Sequence, residues 1–418
     1  MKKEINDNKK PFRSLSNNYE VFAGNEYSNE LLIPKNKRII GKKVKKKIII
    51  DIRKKTAIVS SNVTLNEVNQ KAQKYDLYLP ITPGNMDITI AGAISNNVHG
   101  KNSYKQGNFL SITNKIKVIK NNKILEIKSK EKKSYIVGGM GLFGQIIEAN
   151  VKLTKKPNFI NYQTFTFNSY SNLKKYSNMT HKYDEFTAWI NLTDKCFEGF
   201  VLFGKNIYNK KIIKRKTMNL MKIFSPIILY FLNKIISLVG MRLLTSNYFF
   251  RYMNILVFNL GKLTLKKNFL SSTDGQIGAN KHFNMESLKK KTTEIQLLIK
   301  TKNFDRFMKS YLNVMKKYKI VNYWTIVKKH KKDNAKISFS DNGFSISLMF
   351  HDKLYENKFF SRDLYKLIRM FKCKVYLAKL KKCDKKLMNL SYPNFKKFMS
   401  IVLRYNKAAN KHPLYELR

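Results

Sequence analysis

The chain has 418 residues, 43% apolar and 13% aromatic, enough to build two cores and too hydrophobic for disorder. Its 82 Lys and Arg against 27 Asp and Glu leave a formal charge of +55, which favours anionic partners such as phosphate-bearing substrates or an acidic membrane surface. The basic residues are spread along the chain with an excess of Asn and Ile, so no nucleic-acid partner is expected. Three widely spaced cysteines (Cys196, Cys373, Cys383) give neither a disulfide framework nor a metal site and fit a reducing cytoplasm. The N-terminus lacks the apolar core of a signal peptide.

Residues 1–10 are polar and expected to fray, and 11–29 carry the Ser, Asn and Gly punctuation of a loop. Residues 47–52 and 56–60 are apolar and β-branched, predicting strands. Thr64 predicts the N-cap of a helix over 65–75, with Glu67 completing a capping box. At 80–109 the composition changes abruptly. Gly84, Gly92, Gly100 and Gly107 are four of the 17 glycines in the chain. Thr82, Thr89, Ser95, Asn96, Asn97, His99 and Asn102 add hydrogen-bonding groups with little bulk. Such a stretch reads as a wall that touches an extended polar ligand through its backbone; a Gly-rich loop without chemistry is equally open from composition alone. Residues 91–97 predict a short helix whose N-terminus points toward a bound anion. Residues 115–120 and 123–128 predict a hairpin around Asn121-Asn122. A Gly-rich run at 137–144 precedes a strand at 146–153.

Pro157 marks the expected domain boundary. Beyond it, strands are predicted at 162–167, 185–192, 197–203, 292–300, 321–327, 335–339 and 344–350, with helices at 304–318 and 361–371. This order predicts an α+β class: an antiparallel sheet with helices on one face. Residues 211–258 stand apart. The apolar runs 224–232 and 235–241 are too broken for a membrane span. Lys210, Lys211, Lys214, Arg215, Lys216 and Lys222 precede them and favour a membrane-surface element, against the alternative of a helical hairpin covering the sheet.

Three stretches resemble one family in its own order. Residues 80–84 (Pro-Ile-Thr-Pro-Gly), 90–94 (Ile-Ala-Gly-Ala-Ile) and 97–102 (Asn-Val-His-Gly-Lys-Asn) are similar to the flavin-binding wall of the PCMH-type, vanillyl-alcohol-oxidase flavoproteins. Within that superfamily they resemble the decaprenylphosphoryl-ribose oxidases. Residues 137–144 match that family's V-G-G-M-G-L-T-G with Phe143 for Thr, and 375–379 match its V-Y-L-A-K. The resemblance departs at the pyrophosphate loop. There the family's R-G-L-G-R-S-Y-G-D corresponds to Arg13, Ser14, Leu15, Ser16, Asn17, Asn18, Tyr19, Glu20 and Val21. Serine for glycine restricts a loop whose amides must converge, and Glu20 sets a negative charge near two phosphates.

The resemblance implies a two-part FAD-binding PCMH-type domain at 1–156 and a substrate domain at 157–372. A C-terminal segment, 373–418, would return to the flavin site. FAD would be held non-covalently by 13–19, Gly84, Thr89, Ile90, Ala91, Gly92, Asn96, Asn97, Val98, His99, Gly100, Asn102, Ile146 and Tyr376. Lys379 is the first candidate for catalysis, joined by Lys328, Tyr19 and Gln296. A lysine beside another cation or in a dry pocket loses its proton easily enough to act as a base. Glu294, Ser345 and Ser347 replace family residues on strands facing the pocket, and Trp189 is either a pocket or a core tryptophan. The implied activity is oxidation of the C2 hydroxyl of a polyprenyl-phosphate-linked ribose, with a separate NAD(P)H-dependent reductase completing an epimerisation toward an arabinose donor for cell-envelope polysaccharide. The implied location is cytoplasmic, peripheral at the inner face of the plasma membrane. Oxidation of a soluble alditol or aldonolactone, or a degenerate non-catalytic flavoprotein fold, are the alternatives.

Overall fold

The computed structural model describes residues 12–14, 39–41, 44–120, 123–209, 246–264, 269–271, 291–380 and 383–418. Leu15, Ser16, Asn17, Asn18 and Tyr19, and the apolar runs 224–232 and 235–241, lie outside the described residues. Arg13 and Ser14 fall within a short strand, β1 (Phe12–Ser14), which pairs antiparallel with β2 (Ile39–Gly41). The loop expected over 11–29 therefore contains a strand; its partner is distant in sequence, so local punctuation carries no sign of it.

A hairpin of β3 (Ile48–Asp51) and β4 (Thr56–Ser60) leads into α1 (Leu65–Ala72). The capping box forms: Glu67 N–H donates to Thr64 Oγ1 at 3.1 Å, and Thr64 N–H donates to Glu67 Oε2 at 2.8 Å. The predicted last turn tightens to a 3-10 turn at Gln73–Tyr75 and stops at Asp76, whose φ is 53°. Then come β5 (Leu77–Tyr78), α2 (Ile90–Ser95), α3 (Ser103–Gln106) and α4 (Phe109–Ile112). The hairpin β6 (Thr113–Lys120) and β7 (Lys123–Ile127) forms as expected, followed by α5 (Lys130–Ile136), β8 (Gln145–Lys152) and β9 (Thr154–Lys155). Five of these strands make one sheet, ordered β3-β4-β8-β6-β7, against which α2 packs.

The chain then builds β10 (Phe159–Phe167), α6 (Tyr170–Asn178), β11 (Glu185–Leu192), β12 (Phe197–Ile207), α7 (Asn247–Thr264) and β13 (Phe269–Ser271). After these come β14 (Thr292–Lys300), α8 (Thr301–Tyr318), β15 (Trp324–His330), β16 (Gly343–His351), α9 (Asp352–Glu356) and α10 (Lys358–Met370). The C-terminal stretch supplies β17 (Lys374–Val375), a 3-10 turn at Leu377–Lys379, α11 (Lys385–Ser391) and α12 (Phe395–Tyr405). The second sheet has eight strands, ordered β13-β10-β12-β11-β15-β16-β14-β17, and its neighbouring pairs are antiparallel.

Successive residues of a strand face opposite ways, so the register sorts the sheet's two faces. Phe344 and Phe350 share one face and meet Phe304 of α8 and Phe360 of α10; α6 covers the same face through Tyr176 on Phe165. The opposite face carries Trp189, stacked on Phe200 at 5.0 Å, and Phe200 stacks in turn on Phe258 of α7. Helices on one face only is therefore corrected: α7 covers the Trp189 end of the other face, where two large rings would otherwise meet water. Trp189 is a core tryptophan.

Two strand expectations also change. Residues 321–323 do not join β15; Val321 makes an isolated bridge to Thr193, and the strand runs on to His330. Residues 335–339 form no strand. Ala335, Ile337 and Phe339 are buried, and so is Ser338 between them. The apolar side chains enter the seam between the two sheets instead of a ladder, tied by Lys336 N–H to Ser134 O at 2.8 Å.

Candidate functional site

The end of the second face not covered by α7 turns toward the 80–109 wall. The register places Gln296 opposite Ser347, and Lys328 opposite Ser345. Glu294 and Gln296 on β14, Lys328 and His330 on β15, and Ser345 and Ser347 on β16 thus share one side of the sheet. From the wall, His99 brings Nε2 within 3.1 Å of Gln296 Nε2, and Gln296 Nε2 also donates to Ser345 Oγ at 3.2 Å. His330 continues the chain of contacts, with Nε2 at 2.8 Å from Ser345 Oγ and Nδ1 at 3.2 Å from Ser340 Oγ. An amide nitrogen can only donate, so His99 accepts at Nε2 and carries its proton on Nδ1. That Nδ1 is buried and has no hydrogen-bond partner among the described residues.

Three rings enclose His99: Phe339 stacks at 5.5 Å, while Tyr376 and His330 approach edge-on at 5.0 and 4.8 Å. Burial, then the nearby positive charges, hold His99 well below the ordinary histidine value. Burial and Lys328 bring His330 down to about 3. Both imidazoles are neutral at physiological pH.

Charge collects beside them. Lys379 Nζ lies 3.1 Å from Glu294 Oε2, and Ser347 Oγ donates to Glu294 Oε1. Burial opposes the charge on Glu294, but Lys379, the Ser347 hydrogen bond and Lys328 outweigh it and lower its value. Lys328 is brought down to about 8, first by burial and then by Lys379 and Lys101, with Glu294 pulling the other way.

The wall is held from several sides. Gly138 N–H donates to Ile94 O and Met140 N–H to Ser95 O, both at 2.9 Å, so the 137–144 run is bonded to α2. Gly138, at φ +80°, also faces Ile337 O, which a Cβ would approach to 3.0 Å. Tyr376 O–H donates to Asn96 O at 3.2 Å, and Asn406 Nδ2 donates to Leu142 O at 2.8 Å, joining the C-terminal segment to the same wall.

The residues expected to contact a cofactor divide into two groups. Thr89 caps α2 by accepting from Gly92 N–H at 3.2 Å. Asn97 donates to Asp333 Oδ2 at 2.7 Å and accepts from Leu110 N–H at 3.0 Å, so its side chain braces the wall. Ile90, Val98 and Ile146 are buried apolar residues. The N-terminus of α2 is not an anion site: Ile90 N–H bonds Val63 O, Ala91 N–H bonds Ser61 O, and Gly92 N–H bonds Thr89, which uses the amides an anion would need. Gly84, Ala91, Gly92 and Asn96 by contrast are partly or fully exposed, as are Thr82, Pro83 and Ser95. Gly100 is buried, and a Cβ there would lie 2.7 Å from Thr82 O.

This geometry fits a flavin nucleotide. Small, partly exposed residues keep the backbone of the wall within reach of a flat, extended ligand. Asn96 Oδ1, His99 Nδ1 and Asn102 Oδ1 are buried without partners among the described residues, and such groups cost free energy until a polar partner arrives. Among the described residues no group of His, Cys, Asp or Glu side chains is arranged to hold a metal ion.

Comparison with known proteins agrees on the class. A family model described as an FAD-binding domain matches residues 3–126, which include the whole wall, and supports FAD as the cofactor. A 110-residue stretch is 28% identical to decaprenylphosphoryl-beta-D-ribose oxidase of Mycolicibacterium smegmatis, covering 25% of this chain. The match spans 24% of that relative's length, about a quarter.

Several site residues escaped the sequence reading. His330 was legible in principle, two positions beyond Lys328 and so on the same side of the strand. Asp333 and Phe339 had no local signal, because they act from a loop whose path is set by packing. The Glu294–Lys379 pair joins residues far apart in sequence.

Proposed function

We propose that the chain is an FAD-dependent oxidoreductase that oxidises the C2 hydroxyl of a polyprenyl-phosphate-linked ribose to a ketone. A separate NAD(P)H-dependent reductase would then complete an epimerisation toward an arabinose donor for cell-envelope polysaccharide. The observation that carries this reading is the convergence of Lys328, Lys379 and Glu294 on the His99–Gln296 contact at the open wall. When bound, the flavin supplies a two-electron acceptor for hydride from the carbinol carbon.

The chain's own residues have the remaining tasks. Gly84, Ala91, Gly92, Asn96, His99, Gly100, Asn102 and Tyr376 would hold the cofactor. The closed packing of His99 among Phe339, Tyr376 and His330 favours non-covalent attachment. The lysines offer positive charge to a substrate phosphate and a proton acceptor to its hydroxyl. Phe339 and the His99 ring limit water at the reacting centre. No helix among the described residues is long and apolar enough to cross a membrane. Tyr248, Tyr252, Ile255 and Leu256 are exposed along α7, which favours peripheral contact with the membrane where a lipid-linked sugar resides.

The test is spectroscopic. The purified protein is expected to be yellow and to bleach when a lipid-linked ribose is added without oxygen. Flavin-replete protein that keeps its colour would rule out this substrate. Folded protein that takes up no added FAD would favour the degenerate fold.

A further inference from the structure

Two lysines stand at the same site, and one carboxylate separates their roles. Glu294 holds Lys379 at 3.1 Å and accepts a second hydrogen bond from Ser347. The ammonium of Lys328 makes no hydrogen bond or ion pair among the described residues. The charged and titratable groups facing Lys328 are Lys379, Lys101 and Glu294, with His99 and His330 beyond. Lys101 itself sits 5.8 Å from the Tyr162 ring.

We propose that Lys328 is the group that takes the proton from the substrate hydroxyl, and that Glu294 sets this assignment by holding Lys379 beside it as a fixed cation. The proposal rests on the reading of the chain as a flavin-dependent alcohol oxidase. In the step, the carbinol C–H bond breaks and its electron pair leaves as hydride to an oxidised flavin. The O–H bond breaks, its proton passes to the neutral amine of Lys328, and the C=O double bond forms. The carbinol is oxidised and the flavin reduced by two electrons.

The other candidate bases among the described residues are committed. Lys379 is held as the ammonium by its ion pair with Glu294, and would have to give up that pair before it could accept a proton. Glu294 has both oxygens engaged and a lowered value, so it is a weak base. His99 uses Nε2 to accept from Gln296, and both nitrogens of His330 lie against serine hydroxyls. Lys328, at about 8, is the group nearest the operating pH, where a general base is most effective. Burial creates that value and the two flanking cations deepen it. Glu294 moderates it, so removing Glu294 moves it down. The resemblance places glutamine at this position in the family; a neutral amide could accept a hydrogen bond from Lys379 but has no charge to pair with it or to moderate Lys328.

The experiment follows anaerobic flavin bleaching of the holoprotein by a short-chain polyprenyl-phosphoryl ribose across the pH range. The wild-type rate should rise about tenfold per pH unit and level off near the Lys328 value of about 8. Lys328→Met should lose about 100-fold or more at the plateau together with the pH-dependent rise. Glu294→Gln should keep the rise but move it to lower pH. A second readout needs no turnover: pH-dependent acetylation of the holoprotein by acetic anhydride, read by mass spectrometry. Lys328 should become reactive near its value of about 8 in the wild type and at lower pH in Glu294→Gln. An unmoved pH limb in Lys328→Met, or an unmoved Lys328 acetylation profile in Glu294→Gln, overturns the assignment alone. Wild-type protein that binds flavin but is not bleached overturns the functional reading itself, and the assignment with it.

Discussion

A lysine whose proton is held loosely in the folded protein carries a stability cost, and Lys328→Met should reveal it. In the folded state Lys328 titrates at about 8 against an ordinary value of 10.5. Because its folded value is depressed, the unfolded chain binds more protons between those two values, and stability rises with pH across that window. Below pH 8 the cost is fully present; above the ordinary lysine value it has gone. At roughly 1.4 kcal/mol per pH unit the gap corresponds to about 3 kcal/mol. The side chain keeps partial contact with solvent, so the realised figure should be about 1–3 kcal/mol. Methionine preserves most of the stem's volume and removes the charge. Guanidinium unfolding at saturating FAD should therefore show Lys328→Met more stable than wild type at neutral pH. The two should converge near the ordinary lysine value. A variant less stable at neutral pH, or a gain that does not shrink on raising the pH, would refute the reasoning. A more stable but slower protein is the outcome expected when an active site holds a destabilised group.

Two further substitutions probe the frame around that lysine. Ser345→Ala removes the hydroxyl shared by Gln296 and His330 and strands buried donors, which should cost about 1–3 kcal/mol in denaturant unfolding; a loss below a few tenths would show that the shared hydroxyl contributes little. Gly100→Ala forces a methyl to within 2.7 Å of Thr82 O and should cost about 1–3 kcal/mol. Flavin retention on gel filtration should fall with it, and unchanged retention would show that the wall tolerates the extra carbon.

Local structure was legible wherever a local rule governed it. The Thr64–Glu67 capping box and the pairing of β6 with β7 rest on residues close in sequence, so a local pattern suffices to predict them. The wall at 80–109 was visible as a change in composition, and its link to 137–144 followed from the resemblance, which the structure expresses as hydrogen bonds from Gly138 and Met140 to α2. Residues 335 and 337–339 are buried without forming a strand. An apolar, β-branched run reports burial, and it cannot say whether the buried side chains face a ladder partner or pack without one.

The sequence alone determined which residue types would line the site: glycines and small polar groups on one side, lysines, glutamine and serines on the other. It carried the capping, hairpin and strand signals that bring each stretch to its place. Only the tertiary structure decided who meets whom. Whether a buried lysine keeps its proton depends on which charges stand within a few ångströms of it. Glu294 and Lys379 are 85 positions apart in the chain (379 − 294) and 3.1 Å apart in space. That contact distinguishes Lys379 from Lys328, and no local pattern contains it.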